Sequence, residues 1–330
     1  MKRLAVCGWD ERSAALLRAI SLRSDLRAVA IGDDRPAALV RARTATGLPC
    51  YQHLREMLRA VEYDTLLIGD TADREALLEI AAERRASIIL RGDAADARTL
   101  RAATTAVSTG ADGLNVARPE LNHAGIDLLT TLTTGEAEWT PTFLQIEVND
   151  AAGIDAAICT TMALVARLQP EAATHVVVAT LRGPTDVAMT ASIQIRHAEQ
   201  ALTVVTVQDR LEEWWRISIQ APAGMAELVN RDGASTLTLE PTNGTAEQSE
   251  LVDDDLLDVE AVRLADPASR RTDERFAAYE AALLMAVEGS INTGFIAPVR
   301  EQSARSNLRV LEGGQLTTSR REGHLRILGS

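Results

Sequence analysis

The chain has 330 residues, of which 46% are hydrophobic and 25% charged, close to the averages for soluble globular proteins. This length allows two domains of ordinary size, and the balance excludes a disordered or fibrous chain. A formal net charge of −13 argues against nucleic acid and anionic membranes as partners. No apolar run is long enough for a membrane helix or a signal-peptide core, so we expect a cytoplasmic protein without membrane insertion.

The cysteines indicate a reducing compartment. Cys7, Cys50 and Cys159 are far apart, form no C-x-x-C pair and have no histidine at ligand spacing. This pattern argues against disulfides and against a zinc or iron–sulfur site. We therefore expect three small buried thiols and no metal site.

Residues 4–20, LAVCGWDERSAALLRAI, form the most informative stretch of the chain. A short apolar run ends at Gly8, and the apolar residues that follow have helical spacing. The pattern predicts a buried strand, a tight turn and a helix, the first half of a dinucleotide-binding βαβ unit. The fingerprint G-x-G-x-x-G, however, is here Gly8, Asp10 and Ser13. Asp10 places a carboxylate where a diphosphate would lie, and it would also suit a helix N-cap that binds no anion.

The second strand, at residues 27–31, leads to Asp33, 25 residues after Gly8. A doubly wound fold places its ribose-binding acid near this spacing. The same aspartate would equally suit a cap on the helix that begins at Pro36. If a nicotinamide cofactor binds, the candidate residues are Gly8, Asp10, Asp33 and Gly69. Whether the cofactor is NAD(P) or absent stays open at this point.

Up to residue 118 the apolar runs alternate with helical patterns, which predicts a parallel sheet with helical crossovers. We place a Rossmann-like domain at residues 1–115 and a second, α+β domain at residues 116–330. The second domain has runs of period-two alternation that predict a largely antiparallel sheet with one covered face. We expect a helix at 153–168 to pack on that face, and a loop at 242–255. Further helices are expected from Pro119 to about residue 131, at 273–289 and at 303–314. A last strand is expected at 324–328.

This order of elements resembles the Gfo/Idh/MocA family of oxidoreductases, named after glucose–fructose oxidoreductase and inositol dehydrogenase. The similarity is carried by the opening turn, by AAERRASIIL at 81–90, by GMAELV at 224–229 and by the C-terminal helices and strand. The resemblance implies a Rossmann domain followed by an α/β domain whose open sheet packs against another subunit. It also implies hydride transfer between a nicotinamide and a sugar or polyol, with a lysine and a histidine or aspartate at the reacting hydroxyl.

The residues that this family uses for catalysis are replaced in the chain. Where the family has Glu-Lys-Pro the sequence has Arg91, Gly92 and Asp93, and no lysine occurs after Lys2. The family's D-x-x-x-H-x-x-D helix keeps Asp155 but has Cys159 and Met162 at the other two positions, its Thr-Pro is Gly69-Asp70, and Arg74 replaces a histidine. Without an acid–base group, a factor of about 10²–10⁴ in rate is lost.

Three other residues are candidate catalytic residues. His123 and Asp127 are at i and i+4 on a predicted helix, although a local ion pair would explain them as well. Arg118 follows a strand and could bind a carboxylate or phosphate, or form a surface ion pair.

Trp214 and Trp215 are neighbours in a predicted strand, so their side chains must point to opposite faces. One of the two should therefore lie on the open face of the sheet, where a large aromatic side chain indicates a subunit contact. We expect a homo-oligomer or hetero-oligomer through this face, with a small-molecule ligand as a further partner.

Two hypotheses follow from these patterns. In the first, the chain is a non-catalytic structural, regulatory or binding subunit that keeps the family's fold. In the second, it is a divergent NAD(P)-dependent oxidoreductase acting on a sugar, polyol or related small molecule with displaced acid–base residues. The joint loss of the motifs favours the first.

Overall fold

The computed structural model describes residues 2–23, 25–149, 153–182, 188–209, 214–231, 233–251, 256–265, 267–294 and 297–299. The helix expected at 303–314 and the strand expected at 324–328 lie outside these residues. Contacts divide the chain into two compact units, Met1–Asn122 with Asp254–Ala278, and His123–Asp253 with Tyr279–Ser330.

The first unit alternates strands with helices. Its strands are β1 (Lys2–Cys7), β2 (Leu26–Gly32), β3 (Cys50–Tyr51), β4 (Thr65–Ile68), β5 (Ser87–Arg91) and β6 (Gly113–Ala117). Its helices are α1 (Glu11–Arg23), α2 (Pro36–Thr46), α3 (Leu54–Ala60), α4 (Arg74–Glu83), α5 (Ala97–Thr109) and, later in the chain, α8 (Leu256–Ala265).

These strands form a parallel sheet in the order β3-β2-β1-β4-β5-β6 within the described residues. This is the strand order of the dinucleotide-binding doubly wound fold. The chain changes direction across the sheet between β1 and β4, and such a fold binds its ligands beyond the carboxyl ends of the strands at that point. The turns after Cys7 and Ile68 are therefore the place to look for a site.

The core of the first unit lies on both faces of this sheet. Strands β4 and β5 are buried throughout, as is expected of parallel strands with helices on each side. One cluster joins Leu4 and Val6 to Trp9, to the apolar face of α1 and to Ala261 and Leu264 of α8. The sequence did not predict α8, which completes this cluster.

The second unit is a large sheet with helices on one face. Its strands are β7 (Phe143–Asn149), β8 (Ala173–Arg182), β9 (Ala188–His197), β10 (Leu202–Gln208), β11 (Trp214–Ala221), β12 (Gly224–Arg231), β13 (Ala234–Pro241), β14 (Glu247–Leu251) and β15 (Ala297–Pro298). Its helices are α6 (Ala124–Gly135), α7 (Ile154–Leu168) and the second half of α9 (Pro267–Thr293).

In the described part of the chain the strand order is β14-β13-β12-β11-β7-β10-β9-β8-β15, with β7 and β10 parallel and the other neighbours antiparallel. Alternate residues such as Ile146, Ile193, Val205 and Ile217 are fully buried. Helix α7 packs against β7, β9 and β10, so it covers this face as predicted. The predicted fold class, a parallel Rossmann-like sheet followed by a largely antiparallel one, is confirmed.

Two predictions of secondary structure were wrong, and one strand was missed. The loop expected at 242–255 contains β14, a polar edge strand that pairs with β13. Strand β8 was not predicted, although its run HVVVATL is rich in β-branched residues. The helix expected from Pro119 is a short 3₁₀ turn, Pro119–Asn122, and α6 begins only after His123.

Candidate functional site

The turn from β1 to α1 depends on its single glycine. Gly8 has φ of +86°, and a Cβ atom there would lie 2.8 Å from the carbonyl oxygen of Asp70. Its amide donates to the carbonyl of Gly32, and the amide of Gly69 donates to that of Cys7. The glycine is thus required by the close approach of the chain that follows β4, independently of any ligand.

Asp10 caps helix α1. Its Oδ1 accepts the backbone amide of Ser13 at 2.8 Å, and the Ser13 hydroxyl donates to the carbonyl of Gly8 at 2.9 Å. The aspartate therefore serves the role of an N-cap, which is one of the two roles its position suggested. An amide that a bound anion would use is satisfied within the chain.

The side chain of Arg91, the last residue of β5, reaches the same helix end. Its Nη1 donates to Asp10 and, at 2.5 Å, to the hydroxyl of Ser13, while Nε and Nη2 form a two-pronged pair with Asp93. The side chain is 4% exposed. Burial raises the pKa of Asp10, but the hydrogen bonds from Arg91 and Ser13 outweigh it and hold that pKa below its usual value.

Asp33 lies beside this turn and is completely buried. Its Oδ2 accepts the amide of Trp9 at 2.6 Å and Nη2 of Arg35 at 2.9 Å. Its Oδ1 accepts the amide and Nε of Arg35 at 2.8 and 2.9 Å. Desolvation raises the pKa of Asp33, but the hydrogen bonds from Arg35 and Trp9 lower it by more. The pKa therefore lies below its usual value, and the carboxyl is ionised at neutral pH.

A dinucleotide does not fit these residues as they are arranged. The fold would offer it amides at the start of α1 and a carboxylate after β2. Here Asp10 takes the Ser13 amide, and Asp33 has no lone pair left, since an ionised carboxylate accepts about four hydrogen bonds. In addition, Gly69 packs against the guanidinium of Arg91, where a Cβ atom would lie 3.1 Å from Nη1.

His123 is the N-cap of α6 and is buried in the second unit. Its Nδ1 accepts the amide of Gly125 at 3.0 Å, and its Nε2 lies 2.6 Å from the hydroxyl of Ser235. The accepting Nδ1 assigns the proton to Nε2, so the ring donates to Ser235. The ring of Trp215 meets it edge to face at 5.0 Å between centroids. Both nitrogens are occupied by the fold, and His123 is the cap of the helix rather than a residue on its face.

Arg118 follows β6 in the first unit and is 3% exposed, so it is not a surface residue, although its charge does lower the pKa of Glu120, the partner considered for it, against the stronger effect of burial. Its Cγ would lie 2.5 Å from a Cβ atom on Gly92, which means that the arginine stem packs over that glycine. Its backbone amide donates to Glu260 of α8, whose buried carboxylate also binds Asn122 and Arg263. Asp127 lies in the first turn of α6.

Trp214 and Trp215 point to opposite faces of the second sheet, as predicted. Trp215 is opposite Val148 and packs on His123 on the covered side. Trp214 pairs with Asn149 and Arg231 on the other face and is half-buried. That face is largely polar at its centre, where Arg216 binds Glu227 and lies 4.0 Å from Glu147.

Among the described residues no cluster of histidine, cysteine or acidic side chains could hold a metal ion, and no helix there is long and apolar enough to cross a membrane.

No protein-family model and no curated protein matches the sequence. Solved structures do match it over most of its length. An oxidoreductase from Agrobacterium radiobacter, in complex with NAD+, L-tartaric acid and magnesium, has a TM-score of 0.75 at 17% identity and covers 90% of this chain and 98% of its own. The WlbA dehydrogenase from Bordetella pertussis, in complex with NADH and UDP-GlcNAcA, has a TM-score of 0.70 at 17% identity and the same coverage. The aldose-aldose oxidoreductase from Caulobacter crescentus, complexed with glycerol, has a TM-score of 0.71 at 12% identity, covering 90% and 99%.

The chain has the Gfo/Idh/MocA fold. The resemblance inferred from the sequence is therefore confirmed as a likeness of fold.

The positions at which the sequence resemblance predicts catalytic residues hold other groups in the structure. Gly92 and Asp93 begin a 3₁₀ turn in which Asp93 binds Arg91. On α7, Asp155 is exposed, Cys159 is half-buried and Met162 is fully buried among the helix's core residues. Arg74 donates to the carbonyl of Ala94 at 2.9 Å.

The sequence alone did not indicate the partners that close the turn. Arg91 was recognised as a replacement within Glu-Lys-Pro, but not as a ligand of Asp10, which is 81 residues away. Arg35 was not singled out, and neither was Glu260. The available signal was the pattern R-G-D at the end of a buried strand, since an arginine at a strand end beside an acidic turn needs a carboxylate partner.

Proposed function

We propose that the chain is a non-catalytic protein with the Gfo/Idh/MocA fold, a structural, regulatory or binding subunit that binds no nicotinamide dinucleotide and transfers no hydride. The observation that carries this proposal is the carboxylate of Asp33. It accepts two hydrogen bonds at each oxygen, from Trp9 and Arg35; the carboxylate and Trp9 are buried, whereas the Arg35 side chain is 47% exposed.

A bound dinucleotide would compete with Trp9 and Arg35 for the carboxylate of Asp33. A ribose hydroxyl would have to displace a backbone amide or one arm of the guanidinium from Asp33. Leaving the buried Trp9 amide without an acceptor costs about 1–3 kcal/mol, which offsets what a new hydrogen bond to the ribose contributes. Binding at this place would therefore gain little from the contact that anchors the cofactor in the fold.

Proton transfer would also lack a group in the expected place. Gly92 stands where the family has its lysine, and Lys2 is the only lysine of the chain. Cys159 and Met162 stand where the substrate-domain helix has its histidine and second aspartate. The buried thioether of Met162 moves no proton, so the second aspartate of that helix has no functional equivalent at this position.

The alternative is a divergent NAD(P)-dependent oxidoreductase that acts on a sugar, polyol or related small molecule. This alternative is favoured by the proteins that share the fold, because the matching structures include proteins solved with NAD+ or NADH. It would have to use His123, Asp127 or Arg118. Against this, His123 gives both ring nitrogens to Gly125 and Ser235.

The second sheet supports an assembly role. Trp214 lies on the face opposite α7, beside a ladder of Arg216, Glu147 and Glu227. We propose that this face packs against another subunit, through the tryptophan as an apolar anchor and the ladder as a polar surround. The three free thiols suit a cytoplasmic location, as proposed from the sequence.

Hydride transfer tests the proposal. The purified chain, alone and at high concentration, is incubated with NAD+ or NADP+ and a panel of aldoses, polyols and sugar acids, and the absorbance of the reduced nicotinamide is followed. We expect no reduction above that of a boiled control. Reduction that His123→Gln abolishes, with the fold retained by circular dichroism, would instead support the divergent enzyme.

A further inference from the structure

We propose that Arg91 is an internal ligand of the β1–α1 turn, whose guanidinium takes the position at the start of α1 and closes it to diphosphates. This inference rests on the proposed function and gives it a cause: the turn is closed by an ion pair within the chain, and not only by the lost glycines.

The contacts of Arg91 support this role. A guanidinium has five N–H donors, and four are used by Asp93, Asp10 and the Ser13 hydroxyl. Two of these acceptors, Asp10 and Ser13, belong to the first turn of α1 and its cap. Strand β5 ends at Arg91, so the sheet fixes the direction from which the guanidinium reaches the helix.

The charge of the cluster excludes an anion. One arginine and two aspartates, Asp10 and Asp93, sum to −1 at the helix end, where this fold ordinarily presents unpaired amides to phosphate. Arg12 lies 3.4 Å from Asp93, but it is mostly exposed and therefore screened by solvent. A diphosphate would meet two carboxylates and a guanidinium that is already bonded.

An exposed arginine could not close the turn through its ion pair. Arg98 forms an ion pair with Glu75 between α5 and α4, but its side chain is 83% exposed. Such pairs contribute about 0–1 kcal/mol. Arg91, with its side chain almost completely covered, makes its pair in a less polar place and with two bonds to one carboxylate, so its removal leaves buried acceptors unsatisfied.

A double-mutant cycle measures the coupling. Unfolding by urea is compared for the wild type, Asp10→Asn, Arg91→Met and the double variant, with Arg98→Met as the control arginine. Asparagine keeps the cap on Ser13 and removes only the charge. We expect the coupling between Asp10→Asn and Arg91→Met to change the unfolding equilibrium constant at least tenfold. The coupling between Asp10→Asn and the control Arg98→Met should change it less than threefold. Effects of Asp10 and Arg91 that multiply independently would overturn the inference. If Arg91→Met does not fold, Arg91→Lys enters the same cycle, because lysine keeps the charge but loses the two-pronged geometry.

Inorganic diphosphate probes the closed position. In Asp10→Gly the second glycine of the fingerprint returns, the Ser13 amide loses its acceptor, and Nη1 of Arg91 keeps only the Ser13 hydroxyl. We expect diphosphate to bind this variant at least tenfold more tightly than the wild type by calorimetry. Equal binding by the wild type and Asp10→Gly would contradict the role of the ion pair.

These outcomes are separable from those of the proposed function. Hydride transfer by the wild type would end the proposed function whatever the cycle shows. Independent effects of Asp10 and Arg91 would end this inference while the chain stayed inactive.

Discussion

The carboxylate of Asp33 has all of its acceptor sites bonded within the first unit. It binds two backbone amides and the guanidinium of Arg35 while completely buried. Asp33→Asn keeps the volume but removes the charge and half the acceptor capacity. We expect it to lower the free energy of unfolding by about 2 kcal/mol, measured by urea denaturation at pH 7.

The same residue sets a pH dependence. Because its folded pKa lies below the unfolded value of about 3.9, its contribution is present above that pH and is lost as the pH falls through the folded pKa. The destabilisation by Asp33→Asn should therefore shrink below about pH 4, with Asp70→Asn, an exposed neighbour, as the control. A difference between the variant and the wild type that stayed constant down to pH 3 would contradict the assigned hydrogen bonds.

The sequence identified individual residues of the turn better than it identified their hydrogen-bond partners. Gly8, Asp10 and Asp33 were singled out from spacing, and each lies in or beside the β1–α1 turn. Spacing could not say that Asp33 would accept from Trp9, or Asp10 from Arg91, because these contacts join residues brought together only by the sheet order. They also convert candidate ligand groups into groups that stabilise the fold.

Among the elements, the β1–α1 turn is the most demanding for backbone geometry. In Gly8→Ala a Cβ atom would meet Asp70 at 2.8 Å in addition to the strain of positive φ. Gly47→Ala, at the end of α2, has a similar φ of +69° with nothing within 4 Å. We expect about 1 kcal/mol of destabilisation at Gly47 and about 2–4 kcal/mol at Gly8 by thermal unfolding. Equal effects would mean that β4 does not constrain the turn.

Helix α8 contributes one fully buried carboxylate to the first unit. Glu260 is 0% exposed and binds the Arg118 amide, Asn122 and Arg263. Its replacement by alanine should cost about 3–5 kcal/mol, because a buried pair then loses one partner.

A matched control for Glu260 lies in the other unit. The exposed pair of Glu227 and Arg216 also joins a carboxylate to an arginine. Glu227→Ala should cost less than about 1 kcal/mol in the same urea titration. A loss at Glu260 no larger than this would show that α8 does not depend on the carboxylate.

Elements with strong periodicity could be predicted from the sequence, and weakly patterned ones could not. The buried strands of the first sheet and helix α7 matched their patterns. Strand β14 was missed because its side chains are polar and mostly exposed, so it has no apolar alternation to detect. Its strand conformation comes from pairing with β13, which is a tertiary effect.

For the whole molecule, assembly through the second sheet is the main expectation. Trp214 lies on the face without α7, and Leu128 is a similarly apolar residue, 51% exposed on α6. If the sheet face is the contact, Trp214→Ser should lower the sedimentation mass towards that of a monomer, while Leu128→Ser should not. A monomeric wild type at micromolar concentration would contradict the assembly.

The proposed non-catalytic role requires that the chain binds no nicotinamide dinucleotide. Calorimetric titration of the wild-type chain with NADH and NADPH to millimolar concentration is the most direct measurement, with thermal unfolding in parallel because a ligand at 100 times its dissociation constant would add about 2.7 kcal/mol of stability. We expect no heat of binding and no shift of the unfolding midpoint. Saturable binding of one nucleotide per chain, weakened by Asp33→Asn, would contradict the central claim.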